Sequence, residues 1–183
     1  AKNSSDEELA AVAYGYDSFD QLTAIERGDG MDYTLSYNAY HNLESIGIPG
    51  LTPLVQYAYK NGNGRLKQIR YANGDKMLAS YNSFGQMTAE TWKDASDAEK
   101  AKYRYIYDGS GNIVRSIDIY SHKEYTYTYE AGRISRATES GITLDANEIV
   151  ISKTLVNSIF YTYDADGKLT KKRIRTADGT NTY

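Results

Sequence analysis

The chain has 183 residues, 21 Lys and Arg against 24 Asp and Glu, a net charge of −3, no cysteine and 19 tyrosines. Without cysteine there is no disulfide framework and no thiolate metal site. No apolar run approaches the roughly 20 residues of a membrane span, and two prolines, Pro49 and Pro53, are too few for a polyproline ligand.

Residues 1–13 are a polar, acidic lead-in, unlike a signal peptide. From Tyr14 onward one unit recurs: Tyr, an Asp-like residue, two variable residues, a Gly-like residue, one variable residue, then an aliphatic one. In chain order the copies begin with Tyr16, Asp17 and Leu22, in which Asp20 stands for Gly, then Tyr37, Asn38 and Leu43, in which His41 does. A copy one residue longer runs from Tyr59 through Gly64 to Leu66. Tyr81, Asn82 and Gly85 lead to Met87, and Tyr107, Asp108 and Gly111 to Ile113. Tyr129 and Gly132 form a copy one residue short, and Tyr163, Asp164, Gly167 and Leu169 the last. The leading tyrosines are spaced by 21, 22, 22, 26, 22 and 34 residues, a period of about 22 with two insertions.

Each position has a physical task. Asp or Asn opens a turn by accepting a backbone N–H two residues on. Gly three residues later suits a type I turn followed by a left-handed residue, a position that Asp and His tolerate better than most. Tyr and the aliphatic residue flank the turn and pack across the hairpin. A second turn signal lies midway in the period, at Gly28–Gly30, Asn73–Gly74, Ser121–His122 and Asp178–Gly179. Each period is therefore two strands and two turns. The expected fold is all-β, an extended, twisted antiparallel β-meander of about seven hairpin repeats and about 14 strands, over residues 14–183.

The insertions fall near 93–102 and 141–155. In the first, Ser96 and Glu99 have capping-box spacing and predict one helical turn. The second predicts an added strand or a longer hairpin, and residues 46–54, with both prolines, an irregular turn. The chain stops just after a mid-repeat turn, which suggests a fragment of a larger protein with open sheet edges that associate edge to edge.

The period and the Tyr-Asp-x-x-Gly-x-Leu unit resemble the YD-repeat, or RHS, family over roughly residues 14–183. That family includes bacterial wall-associated and polymorphic toxin proteins, the B and C components of insecticidal toxin complexes, and animal teneurins. The resemblance implies a sheet that spirals into a hollow shell, an exported bacterial surface or toxin parent, and partners in the rest of that parent and an enclosed C-terminal cargo. It implies a secreted or cell-surface location and no cofactor. The family's processing residues have no counterpart here.

Catalysis finds little footing. The calcium-loop look of Asp108–Asn112 and Asp164–Lys168 fails at position 12, where Ile119 and Arg175 stand, so turn capping is the better reading. His41 and His122 fall in turns, and no Gly-x-Ser-x-Gly or phosphate loop is present. The chain thus reads as a non-catalytic structural segment. Lys171, Arg173 and Arg175 share one strand face, better read as a solvated surface than as a nucleic-acid site. The rival reading is a binding module for cell-wall or surface glycans, in which Tyr103, Tyr105, Tyr125, Tyr127 and Trp92 stack on sugars. Packing of those rings within a sheet poor in other apolar side chains is the simpler account.

Overall fold

A computed structural model describes residues 11–60 and 64–182. Residues 1–10 of the polar lead-in, positions 61–63 of the longer third turn and Tyr183 lie outside the described residues. Among the described residues, fifteen strands form an open antiparallel meander whose strand order is the chain order. They are β1 (Val12–Tyr16), β2 (Leu22–Arg27), β3 (Tyr33–Tyr37), β4 (Leu43–Gly47), β5 (Val55–Tyr59), β6 (Leu66–Tyr71), β7 (Lys76–Tyr81) and β8 (Met87–Lys93). They continue with β9 (Glu99–Tyr107), β10 (Ile113–Asp118), β11 (Lys123–Glu130), β12 (Arg133–Leu144), β13 (Val150–Tyr163), β14 (Leu169–Thr176) and β15 (Asn181–Thr182). The chain groups into two compact units, residues 1–79 with 92–98, and residues 80–91 with 99–183.

In the first unit, alternation sorts the two faces cleanly. Directly opposite residues share a face, so Tyr14, Ile25 and Tyr33 form one cross-strand row. On the same face run Leu35, Ile46, Val55 and Tyr71, and then Tyr57, Ile69 and Met77. Tyr71 stacks on Trp92 with ring centroids 6.1 Å apart. The opposite face carries Ser36, Ser45, Gln56 and Arg70, and the two serine hydroxyls bond at 2.7 Å.

In the second unit the tyrosine face holds Tyr105, Ser116, Tyr125 and Glu139 in one row, and Tyr127, Ala137, Ile159 and Ile174 in another. The reverse face is charged. Arg136, Phe160 and Arg173 are cross-strand neighbours, and both guanidiniums lie over the Phe160 ring, at 5.3 and 4.5 Å from its centroid. Lys171, Arg173 and Arg175 share this face, as alternation predicts.

A single sheet layer buries little. The buried hydrophobic side chains among the described residues are Met77, Ile117, Ile119 and Ile142. The three isoleucines cluster with Leu144 and Val150, which belong to the far end of the long β12–β13 hairpin. That end reaches β9, where Lys102 pairs with Glu148 at 2.7 Å and Arg104 donates to the Glu148 carbonyl.

Both insertions lengthen strands. The first is a tight turn, not a helical one. Asp97 N–H donates to Asp94 O at 3.1 Å, and Asp94 Oδ1 accepts the amides of Ser96 and Ala98 at 2.9 and 3.0 Å. Asp94 thus takes the amides that a helix start at Ser96 would need, and Asp97 takes the left-handed position at φ 71°. The second is the longer hairpin: Asp145 caps its turn in the same way, with Glu148 at φ 61°. Both occupy the mid-repeat slot, so the alternation of turn types continues through them.

Candidate functional site

The repeated unit is the natural place to look for function, and its geometry is uniform. Asp17 Oδ1 accepts the amides of Phe19 and Gln21 at 2.8 and 3.0 Å. Asn38, Asn82 and Asp108 each repeat this pair of bonds. Asp164 Oδ1 accepts the Lys168 amide at 2.8 Å. The residue three after each cap is left-handed: Asp20 (φ 60°), His41 (63°), Gly85 (85°), Gly111 (88°) and Gly167 (80°). Gly64 is left-handed too, at 71°. In the short copy, Ala131 (48°) and Gly132 (74°) are both left-handed, the signature of a two-residue type I′ hairpin.

After six of these turns the ladder shifts register and the leading tyrosine faces the aliphatic residue. The pairs are Tyr16 with Leu22, Tyr37 with Leu43, Tyr59 with Leu66, Tyr107 with Ile113, Tyr129 with Ile134 and Tyr163 with Leu169. The bulge turns the phenol toward the neighbouring hairpin. Its hydroxyl then donates to the carbonyl of the preceding repeat's aliphatic residue: Tyr37 to Leu22 (3.0 Å), Tyr59 to Leu43 (2.7 Å), Tyr107 to Met87 (2.7 Å), Tyr129 to Ile113 (2.8 Å) and Tyr163 to Ile134 (2.9 Å). Tyr81, Asn82 and Gly85 build the corresponding turn, with Gly85 N–H donating to Asn82 O at 3.1 Å.

Burial pushes the Tyr59, Tyr107 and Tyr129 phenols above their ordinary range. Tyr105 is pushed up to about 12, by burial first and then by the neighbouring Glu90 carboxylate. Burial likewise raises Tyr125, with Glu139 adding to it. The Asp108 carboxyl is held below its usual range by hydrogen bonds from Asn112, side chain first and backbone second.

The five aromatics considered for sugar stacking, Tyr103, Tyr105, Tyr125, Tyr127 and Trp92, are all half-buried. Tyr127 shares a hydrogen bond with Ser116 Oγ at 3.2 Å, and Trp92 is stacked on Tyr71. Each of these two rings or its hydroxyl therefore has a protein neighbour. His41 and His122 sit in turns at φ 63° and 52°, the former edge-on to Phe19. Among the described residues no group of three His, Asp or Glu side chains is placed to hold a metal ion.

Two features had no sequence signal. The acceptor of each hydroxyl is a backbone carbonyl, which composition does not reveal. The other is Glu124, 1% exposed, whose carboxylate takes Arg115 Nε at 2.5 Å and also pairs with Lys153. Arg115 and Glu124 are nine residues apart on adjacent strands, and Lys153 lies 29 residues beyond Glu124, so only the pairing register brings the three together.

Fold and repeat together define an antiparallel sheet of hairpin repeats, each headed by a tyrosine and a capped turn, with the motif tyrosine as the link between successive units. No family model matches the sequence, and no curated protein matches it. Solved structures share the fold. The Photorhabdus luminescens Tc holotoxin pore aligns at 20% identity and TM-score 0.69, over 93% of this chain and 9% of that one. The crystal structures of TcdB2-TccC3-Cdc42 and of TcdB2-TccC3 without its hypervariable C-terminal region each align at 20% identity and TM-score 0.71, over 94% of this chain and 9% of theirs. The chain thus spans less than a tenth of the length of these matches.

Proposed function

We propose that this chain is a non-catalytic structural segment of the β-sheet shell of an exported bacterial protein of the RHS, polymorphic-toxin or wall-associated kind. The observation that carries this reading is the hydroxyl ladder. The motif's most chemically capable side chain is spent on the backbone of the preceding repeat. The capping carboxylates and amides are likewise spent on their own turns. What the unit does best is hold neighbouring hairpins in register. The likeness in fold to a small part of much longer chains supports a role as one stretch of a larger wall, whose partners are the rest of that protein and what it encloses.

The test uses the purified chain and a Tyr105→Ala/Tyr125→Ala variant that keeps the wild-type circular dichroism. Both are incubated with insoluble cell-wall polysaccharide and a glycan panel. The structural reading expects no saturable retention of either. Saturable binding that the variant loses would make the tyrosine face a recognition surface and overturn the proposal.

A further inference from the structure

The outer edge of β13 is open where the hairpin outgrows its neighbour. Asn157 to Tyr163 pair with β14, and the last contact on that side is the Ala177 N–H donating to Val156 O at 3.0 Å. Among the described residues, Val150 and Ser152 to Leu155 pair with β12 alone, with Ile151 in a bulge between them, so the other side of this stretch presents unpaired N–H and C=O groups. Such an edge accepts a further strand. It is also apolar at the surface: Ile151 is 64% exposed and Leu155 43%.

The sequence here is Val150-Ile-Ser-Lys-Thr-Leu-Val156, which reads almost the same in both directions about Lys153. An antiparallel pairing with its own copy would set Ile151 opposite Leu155, and Ser152 opposite Thr154. Lys153 would meet its own counterpart at the two-fold axis. Like charges opposite each other normally oppose pairing. Here Lys153 is paired with Glu124 of its own chain, a carboxylate it shares with Arg115, which lowers that penalty in part. A self-complementary segment across a two-fold axis is the requirement of an isologous contact.

We infer that residues 151–155 of β13 are a self-association edge, at which a second copy of this chain adds its own β13 antiparallel, centred on Lys153. The contact is short, so the dimer is weak and concentration-dependent.

Sedimentation of the full chain over a wide concentration range tests this. The expected weight-average mass rises from 20.5 kDa toward twice that value. The Ile151→Lys/Leu155→Lys variant stays monomeric throughout. Register is tested independently, since the chain has no native cysteine. Mixed Ile151→Cys and Leu155→Cys chains form a disulfide dimer under mild oxidation. Neither does so alone, because identical positions would stand about 13 Å apart along the strands. A wild-type chain that is monomeric at every concentration overturns the inference. So does association that survives the lysine variant, or a cysteine mixture that fails to crosslink.

Discussion

The hydroxyl of Tyr129 donates to the carbonyl oxygen of Ile113 at 2.8 Å, joining two hairpins beyond the end of the β10–β11 ladder, whose last pair on that side is Arg115 with Thr126. Removing that hydroxyl leaves a half-buried carbonyl with one partner fewer. Tyr129→Phe is expected to destabilise the chain by about 1 kcal/mol, read as a shift in the urea midpoint. Tyr107→Phe should match it. Tyr16→Phe should change little, because Tyr16 is 60% exposed and its hydroxyl meets no acceptor among the described residues. Equal losses at Tyr16 and Tyr129 would show that the ladder contributes nothing.

Backbone conformation gives a prediction of opposite signs at two turns. Gly111 sits at φ 88°, and a Cβ there would stand 3.3 Å from Gln86 Nε2. Gly111→Val should cost about 2 kcal/mol or more, since a β-branched residue strains at positive φ. Ala131 is an exposed alanine at φ 48°. Ala131→Gly should raise stability by up to about 1 kcal/mol, by relieving a left-handed alanine. Thermal melts of the two variants should therefore move in opposite directions.

The buried carboxylate of Glu124 is the most sensitive charged position. Glu124→Ala strands Arg115 and Lys153. The loss should be at least about 2 kcal/mol, below the roughly 3–5 kcal/mol of a fully buried pair, because Lys153 is 46% exposed. Chemical denaturation measures it. A near-neutral result would mean that both cations reach water without cost.

The alkaline limb of the stability curve should be steep. A phenol whose folded pKa is raised keeps its proton longer in the folded chain. Its contribution is complete below the ordinary tyrosine value near 10 and is lost as pH climbs through the folded value. For Tyr105 that loss runs to about 12. Spectrophotometric titration should show a late phenolate fraction, and Tyr105→Phe should remove part of it.

Lys123 and Glu139 set the opposite limb. Their 2.7 Å pair raises the lysine and lowers the carboxyl, which Asn157 also holds down. A depressed carboxyl contributes stability above its unfolded value and loses it as pH falls through the lower folded one. Glu139→Gln should flatten the acid limb of a pH series of melting temperatures.

Much of the fold is legible in residue type. Asp or Asn followed three residues on by Gly marks a turn because few residues accept positive φ, and Tyr at i and i+2 marks a strand face. The strand count and the alternation of turn kinds follow from those two rules. Asp94 and Asp145 were harder to read. Each opens the same kind of turn, yet Asp97 and Glu148 stand where Gly would be expected, and Lys93 and Leu144 where Tyr would. Ser96 and Glu99 instead imitate a helix start. Local spacing alone does not choose between the two. The pairing of the flanking strands does.

The candidate site divides the same way. Side chains were nameable from the repeat, but their partners were not. A carbonyl acceptor has no letter in the sequence, and Glu124 meets Lys153, 29 residues further on, only through the register of the hairpin between them.

Every hydroxyl in the ladder reaches backward, from a tyrosine to a carbonyl earlier in the chain. The sheet therefore has a direction of growth. A hairpin leaving a ribosome finds its acceptor already in place and waits for nothing downstream. A chain cut after any repeat keeps all its earlier links, whereas one cut before a repeat leaves that repeat's tyrosine without its acceptor.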